Sequence, residues 1–91
     1  MALFDFGNKR KFEELKKCLE EENYDVAVMV ADKIPIHKVK NISEMNMIGK
    51  AYKKHEDFFL AREFFERSYR QRVSRTVLTD LMDCCLELKD L

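Results

Sequence analysis

Cysteine and histidine are the residues of this chain best suited to metal binding or nucleophilic chemistry, and it has three of one and two of the other. Cys84 and Cys85 are adjacent, but neighbouring side chains on a helix point about 100° apart, so both cannot easily hold one ion. We expect Cys85 to pack in the core and Cys84 to flank it. Neither His37 nor His55 belongs to a cluster of candidate ligands. The sequence therefore predicts no metal site.

Motifs for catalysis are missing from the sequence as well. It contains no Ser-His-Asp spacing, no phosphate-binding glycine loop and no series of zinc ligands. The carboxylates are numerous, but their spacing is that of charges on helix surfaces. We therefore expect no catalytic residues and no cofactor, and we do not expect an enzyme.

The composition favours one small, nearly all-helical domain, with 46% hydrophobic and 37% charged residues but only two glycines and one proline. Lysine and arginine balance aspartate and glutamate at 17 each, which argues against a nucleic-acid partner. No apolar run approaches the roughly 20 residues that cross a bilayer, and the first residues do not resemble a secretion signal. An odd number of cysteines fits a reducing compartment. These observations predict a cytoplasmic protein without a membrane or nucleic-acid partner.

Apolar residues three and four positions apart predict a series of amphipathic helices. After an apolar lead-in at residues 1–7, Asn8 is a candidate N-cap for the first helix. A second helix over residues 24–34 should end before Pro35, which has no backbone amide and disfavours helical geometry in the preceding residue. Asn41 and Glu44 have the spacing of a capping box that opens a third helix. A fourth helix is expected over residues 58–73 and a fifth from residue 75.

The most informative stretch runs from Met45 to Phe65, on both sides of a polar break at residues 53–57. A glycine inside a helix costs about 1 kcal/mol against alanine. We therefore expect Gly49 to allow the close approach of a neighbouring helix, against the similarly small Ala61.

This stretch resembles a tetratricopeptide repeat, whose pattern is a large apolar residue, Leu-Gly and Tyr, followed by Ala and Phe in a second helix. Gly49, Tyr52, Ala61 and Phe65 match that pattern directly, and Ile48 stands where the family has Leu. Met45 stands where the family usually has Trp, and Val73 stands where a proline usually follows. The family repeats with a period of about 34 residues, and the same interval separates Tyr24 from Phe58 and Ala27 from Ala61. In the first helix the match is poorer, since Leu15 takes the place of Gly49.

The resemblance covers residues 8–91, as units of about 8–41 and 42–74 and a partial unit at 75–91. In the last unit, four residues repeat the pattern of Met45, Ile48, Gly49 and Tyr52 at a nearly equal interval: Leu78, Leu81, Met82 and Cys85. The resemblance implies an all-α fold, a right-handed superhelical array of antiparallel helix hairpins with about five helices. It also implies a protein-interaction module whose concave groove is lined by the first helix of each unit.

Residue by residue, that geometry assigns nine candidate positions to a groove for a peptide or partner helix: Phe12, Lys16, Asn46, Lys50, Lys53, Lys54, Thr79, Asp83 and Leu86. The centre of such a groove is basic and its far end acidic, which could select peptides by charge order. One subclass of the family binds chaperone carboxyl termini through a Lys/Asn/Arg clamp. Its matching positions here are Phe12, Lys16, Met47, Thr76 and Asp80. Only Lys16 suits a carboxylate and Asp80 would repel one, so we do not expect that function.

The fifth helix leaves further alternatives open. We expect one apolar face of it to pack on the preceding hairpin: Leu78, Leu81, Met82, Cys85 and Leu88. Val77, Cys84 and Leu91 widen the apolar surface beyond that face, whereas a terminal helix of a repeat protein should be polar outside. Such an edge suits homo-oligomerisation, docking onto another protein, or continuation into further repeats. RNA binding by a related helical-repeat family would need a basic groove along several units, and the acidic third unit argues against it.

Overall fold

A computed structural model describes residues 2–35, 39 and 41–89, with side chains from residue 9 onward. It contains five α-helices: α1 (Ala2–Glu20), α2 (Tyr24–Asp32), α3 (Ile42–Lys54), α4 (Phe58–Gln71) and α5 (Arg75–Lys89). Within the described residues there is no strand, so the predicted all-α class with five helices is confirmed. α1 packs on α2 and α3 packs on α4 as two helical hairpins, α3 also contacts α1 and α2, and α5 packs on α4.

The helix ends match the predicted capping in one case and differ in others. Asn41 caps α3, because its side-chain oxygen accepts from the backbone N–H groups of Ser43 at 2.7 Å and Glu44 at 3.4 Å. By contrast, α1 begins at Ala2 and includes Asn8. The predicted cap at Asn8 is therefore wrong, and the expected lead-in belongs to the helix from Ala2 onward.

α2 and α4 each end two residues earlier than predicted, at Asp32 and Gln71. After Asp32, the N–H groups of Lys33 and Ile34 donate to carbonyls only three residues back, at 3.1 and 3.0 Å. This tight final turn precedes Pro35, which cannot continue a helix. The predicted effect of the proline is present, but it begins two residues upstream.

The two hairpins have the same turn, displaced along the chain by one repeat period. Glu22 and Glu56 both adopt left-handed backbone geometry, with φ of 58° and 69°. The N–H that follows each of them, of Asn23 or Asp57, donates to the carbonyl five residues earlier at 2.8 Å. A left-handed residue with this hydrogen bond is a common way to end a helix, and it satisfies carbonyls that would otherwise lack partners. The repeated hydrogen bonds show that the hairpins share one backbone plan.

Equivalent positions of the two hairpins are also buried in the core, although some of them carry residues of different size. Ala27 and Ala61 occupy equivalent positions in the two hairpins, and both are fully buried. Gly49 admits the Phe65 ring so closely that a Cβ atom on Gly49 would lie 2.9 Å from its Cε1 atom. α4 therefore contacts Gly49 as predicted, but through the Phe65 ring and not through Ala61. The corresponding residues of the first hairpin are Leu15 and Ala31, both buried.

α5 presents a different face to the rest of the protein from the one predicted. Val77 and Cys84 are buried, whereas Leu78 and Met82 are exposed and Leu81 and Leu88 are half-buried. Leu78 and Met82 correspond to Met45 and Gly49, and those two residues face α4, the second helix of their own hairpin. α5 instead packs on the helix that precedes it. The prediction was wrong because this packing uses a different face of the helix. α5 packs instead through Cys84, which corresponds to the buried Ala51.

Because α5 packs through this different face, the outcome for the adjacent cysteines is the reverse of the prediction. Cys84 is completely buried and Cys85 is exposed. Burial raises the pKa of the Cys84 thiol to about 11, and burial also raises the pKa of Cys18. Both buried thiols are therefore protonated near neutral pH and weakly nucleophilic.

Candidate functional site: a cleft across α1, α3 and α5

A cleft with a volume of about 510 Å³ lies between α1, α3 and α5. Clefts of this size are typical of ligand sites in proteins. α1 contributes Lys16, Leu19 and Glu20, and Tyr24 adds the first residue of α2. α3 contributes Ser43, Asn46, Met47, Lys50 and Lys54, and α5 contributes Thr76, Val77 and Asp80, with Ser74 immediately before it. The cleft is thus lined mainly by the first helix of each hairpin and by α5.

Three lysines give the cleft its charge. Lys16, Lys50 and Lys54 line it, and within the described residues none of them belongs to an ion pair. Of the two carboxylates in the lining, Asp80 already accepts from the Lys53 ammonium at 2.8 Å. Glu20 is the other. Positive charge therefore predominates among the groups that remain free to meet a ligand.

Lys53 does not line the cleft; it connects two helices. Its ammonium donates to Asp80 at 2.8 Å and to Asp83 at 3.0 Å, which connects α3 to α5. Burial works against the charge of Lys53, but hydrogen bonds to Asp80 and Asp83 raise the pKa of the ammonium overall. Lys53 and Asp83 are both predicted groove residues, and in the structure they form an ion pair with each other.

Asn46 lines the cleft, and its side-chain amide has an acceptor oxygen without a hydrogen-bond partner among the described residues. This oxygen is buried. A buried acceptor without a partner is unfavourable by about 1–3 kcal/mol.

The cleft also has apolar walls. Leu19 and Tyr24 come from the first hairpin, Met47 comes from α3, and Val77 comes from α5. Methionine adapts its shape to different apolar partners, and tyrosine offers a large apolar surface with a polar tip. The cleft therefore combines apolar walls with cationic side chains.

Of the nine predicted groove residues, four line this cleft: Lys16, Asn46, Lys50 and Lys54. Phe12 is only 8% exposed and belongs to the core, because it lies on the face of α1 that also buries Leu15. Thr79 is exposed outside the cleft lining, where its hydroxyl donates to the Arg75 carbonyl at 3.0 Å. Leu86 is exposed on the outward side of α5. The structure therefore brings together the predicted residues Lys16, Asn46, Lys50 and Lys54, and it does not bring Thr79, Asp83 and Leu86 into the same cleft lining.

Residue-by-residue prediction missed the apolar walls and the start of α5. A signal for them was present, because the positions compared with the chaperone clamp include Met47, Thr76 and Asp80, and all three line the cleft. Met47, Thr76 and Asp80 do not suit a carboxylate, so the carboxylate-binding pattern does not predict them as site residues. Leu19 and Tyr24 gave no comparable signal, because both have the spacing of core residues.

A second cluster of polar residues lies at the α3–α4 turn. The His55 ring nitrogens are 2.8 Å from a carboxylate oxygen of Asp57 and 2.9 Å from one of Asp25. The hydrogen bond to Asp57 and then that to Asp25 raise the pKa of His55. Because Asp25 is in α2, His55 connects the two hairpins. Tyr52 makes a second connection, since its hydroxyl donates to the carboxylate of Asp32. His37 lies outside the described residues.

Among the residues that the structure describes, no three histidine, cysteine or acidic side chains are grouped as ligands for a metal ion. None of the helices described is both long and apolar enough to cross a membrane. Comparison of the chain with known proteins gave no match to a protein-family model, a curated protein or a solved structure.

Proposed function

We propose that this protein is a non-enzymatic interaction module of the tetratricopeptide type, and that its cleft binds an extended peptide or a helix of a partner protein. The observation that carries the proposal is the cleft itself, which is lined by apolar residues and by three lysines that belong to none of the ion pairs among the described residues. The repetition of the α1–α2 turn at α3–α4, one repeat period later, supports the family assignment. The right-handed superhelical arrangement of the hairpins is part of the proposal.

The preferred ligand is an acidic peptide with apolar anchors. Lys16, Lys50 and Lys54 would attract carboxylates. Charge complementarity of this kind accelerates association and excludes basic competitors. The three cysteines, all free in the structure, fit a reducing compartment, and we propose a cytoplasmic location.

Capture on an array of random peptides sorted by net charge tests this function. The wild-type protein should enrich acidic peptides that contain leucine or methionine, and Lys50→Glu with Lys54→Glu should abolish the enrichment. A matched control is Arg67→Glu with Arg70→Glu, since both arginines are exposed on α4 and lie outside the cleft lining. No enrichment by the wild type, or equal loss in both double variants, would refute the proposal.

Self-association through α5 is the alternative function, suggested by the exposure of Leu78, Met82 and Leu86, although Arg75 and Lys89 on the same side of α5 would face cations of a second copy. Light scattering at high protein concentration tests it, and a monomer would exclude it. Nucleic acid is not proposed as a partner, because the net charge of the chain is zero and Glu20 and Asp80 share the cleft with the lysines. An RNA shift at moderate salt that depends on Lys50 would overturn that choice. No membrane partner is proposed.

A further inference from the structure

The outward side of α5 carries an apolar stripe that no described part of the chain covers. Leu78, Met82 and Leu86 are 37%, 56% and 61% exposed. They are four residues apart and therefore follow one side of the helix over about 12 Å. Cys85 is exposed beside them. These four residues are called the α5 stripe below.

The α5 stripe occupies positions that a helix covers in the second hairpin. Three of its members correspond to Met45, Gly49 and Tyr52 of α3, and each of these contacts α4. The Met45 sulfur accepts from Gln71 at 3.8 Å. The Phe65 ring lies against Gly49, and the Tyr52 ring stacks on Phe64 with centroids 6.0 Å apart. The register itself is visible in the backbone, where Leu78 N–H donates to the Ser74 carbonyl at 2.9 Å as Met45 N–H does to Asn41 at 3.0 Å.

We propose that the α5 stripe binds an amphipathic helix of a partner protein, which runs antiparallel to α5 as α4 runs antiparallel to α3. This surface is separate from the cleft, and the inference does not depend on what the cleft binds. Helices that lay an apolar face on such a surface are a common mode of recognition.

Charge at the two ends of the stripe defines the partner helix. Arg75 and Lys89 are exposed and lie seven residues before and after Met82, which is close to two full helical turns in each direction. They therefore stand on the same side of α5 as the stripe. A second copy of α5 would place a cation against each of them in either orientation, which is unfavourable. A partner helix with acidic residues at both ends would instead complement them.

Size at the centre of the stripe adds a second requirement. Gly49 leaves room for the Phe65 ring, but Met82 stands at the corresponding position of α5 and fills that room. The first hairpin has the same arrangement, with Leu15 at this position and the small Ala31 at the position of Phe65. The partner helix should therefore have a small residue opposite Met82, with larger apolar residues on either side.

The test uses synthetic helical peptides of about 18 residues, long enough to extend past Arg75 and Lys89. The probe has an apolar stripe with alanine at its centre and glutamate at both ends. One comparison peptide has lysine at both ends, and another has phenylalanine at the centre. The readout is the rate of Cys85 alkylation by iodoacetamide in the full chain, since Cys18 and Cys84 are buried.

The probe should slow alkylation about tenfold at about ten times its Kd, because the bound fraction is protected. Both comparison peptides should protect less at the same concentration. Met82→Glu should remove the protection, whereas Met29→Glu, at a residue 60% exposed on α2, should not. Protection should persist in Lys50→Glu with Lys54→Glu, which separates this site from the cleft.

Three results would overturn the proposal. The first is no protection of the wild-type protein by the probe, and the second is equal protection by the lysine-ended peptide. The third is protection that grows with protein concentration alone, together with dimers in sedimentation that Met82→Glu dissociates. That last result would make a second copy of the chain the occupant of the stripe.

Discussion

Phe65 packs directly on Gly49, so closely that a Cβ atom on Gly49 would lie 2.9 Å from the ring. The corresponding pair in the first hairpin is Ala31 and Leu15, also buried. In one hairpin the large side chain comes from the second helix, and in the other it comes from the first. The space between the helices is thus filled in both, from opposite sides.

Because the large and small residues change places between the two hairpins, we expect the effects of substitutions at positions 49 and 65 on the free energy of unfolding to be strongly coupled. Gly49→Leu alone should lower the free energy of unfolding by about 1–3 kcal/mol through overpacking. Phe65→Ala alone should lower it by about 3–5 kcal/mol through the cavity it leaves. The double variant reproduces the pairing of the first hairpin, so its loss should fall short of the sum by about 0.5–3 kcal/mol. Chemical denaturation measures all three.

A control for the exchange is Gly49→Leu combined with Phe64→Ala. Phe64 is buried in α4 and stacks on Tyr52. Its cavity lies beside a different ring, so that pair should show less coupling. Simple additivity for positions 49 and 65 would mean that leucine does not occupy the space of the ring.

The left-handed turn residues give a second prediction. Glu22 and Glu56 have positive φ, a geometry that disfavours a side chain by roughly 1–2 kcal/mol and suits glycine. Replacing either by glycine should stabilise the protein by about 0.5–1 kcal/mol after the entropy of the unfolded chain is counted. The two increments should be similar and additive in thermal unfolding. Lys54→Gly, within α3, should destabilise, and a loss of stability in Glu56→Gly would be inconsistent with the turn geometry.

The His55 contacts predict how stability depends on pH. The hydrogen bonds to Asp57 and Asp25 raise the pKa of His55 in the folded protein. Its stabilising effect is therefore complete below the unfolded pKa of about 6.5 and is lost as pH rises through the higher folded pKa. We expect Tm to fall over that interval, and to fall less in His55→Gln. His37 is present in both proteins, so equal slopes would exclude a contribution from His55.

The Lys53 ion pairs predict a specific effect on α5. Lys53→Met keeps the alkyl chain but removes the contacts to Asp80 and Asp83. Stability should fall by about 0.5–1 kcal/mol, and less in high salt. Amide hydrogen exchange should accelerate in α5 more than in α2. Lys50→Met, at an exposed lysine outside the ion pairs described, is the control, and identical exchange in both variants would count against the link.

The sequence predicted what short-range patterns determine. The helix count, the Asn41 cap and the close contact at Gly49 each depend on residues near one another in the chain or on a simple period. The start of α1 was missed because Asn8 has the chemistry of a cap, and the local pattern could not show that the helix continues through it.

Features that depend on which surfaces meet were harder to predict. α5 is apolar on several sides, with Val77, Leu78, Cys84 and Cys85 all available, so periodicity could not choose the face that packs. In the sequence, Lys53 cannot be told apart from Lys50 and Lys54. Only the position of α5 shows that Lys53 forms ion pairs with Asp80 and Asp83. Four of the predicted groove residues line one cleft, because the lysines of α1 and α3 project from helices whose register the periodicity predicts; whether they bind a partner stays a prediction.

An NMR titration of the isotope-labelled protein with an acidic, leucine-containing peptide taken from the array tests the central claim most directly. The cleft account predicts that the amide signals of Lys16, Asn46, Lys50 and Lys54 shift together with a single dissociation constant, while those of Arg67 and Arg70 on α4 stay in place. Shifts concentrated on α4, or saturable binding that leaves the signals of the cleft residues unchanged, would contradict it.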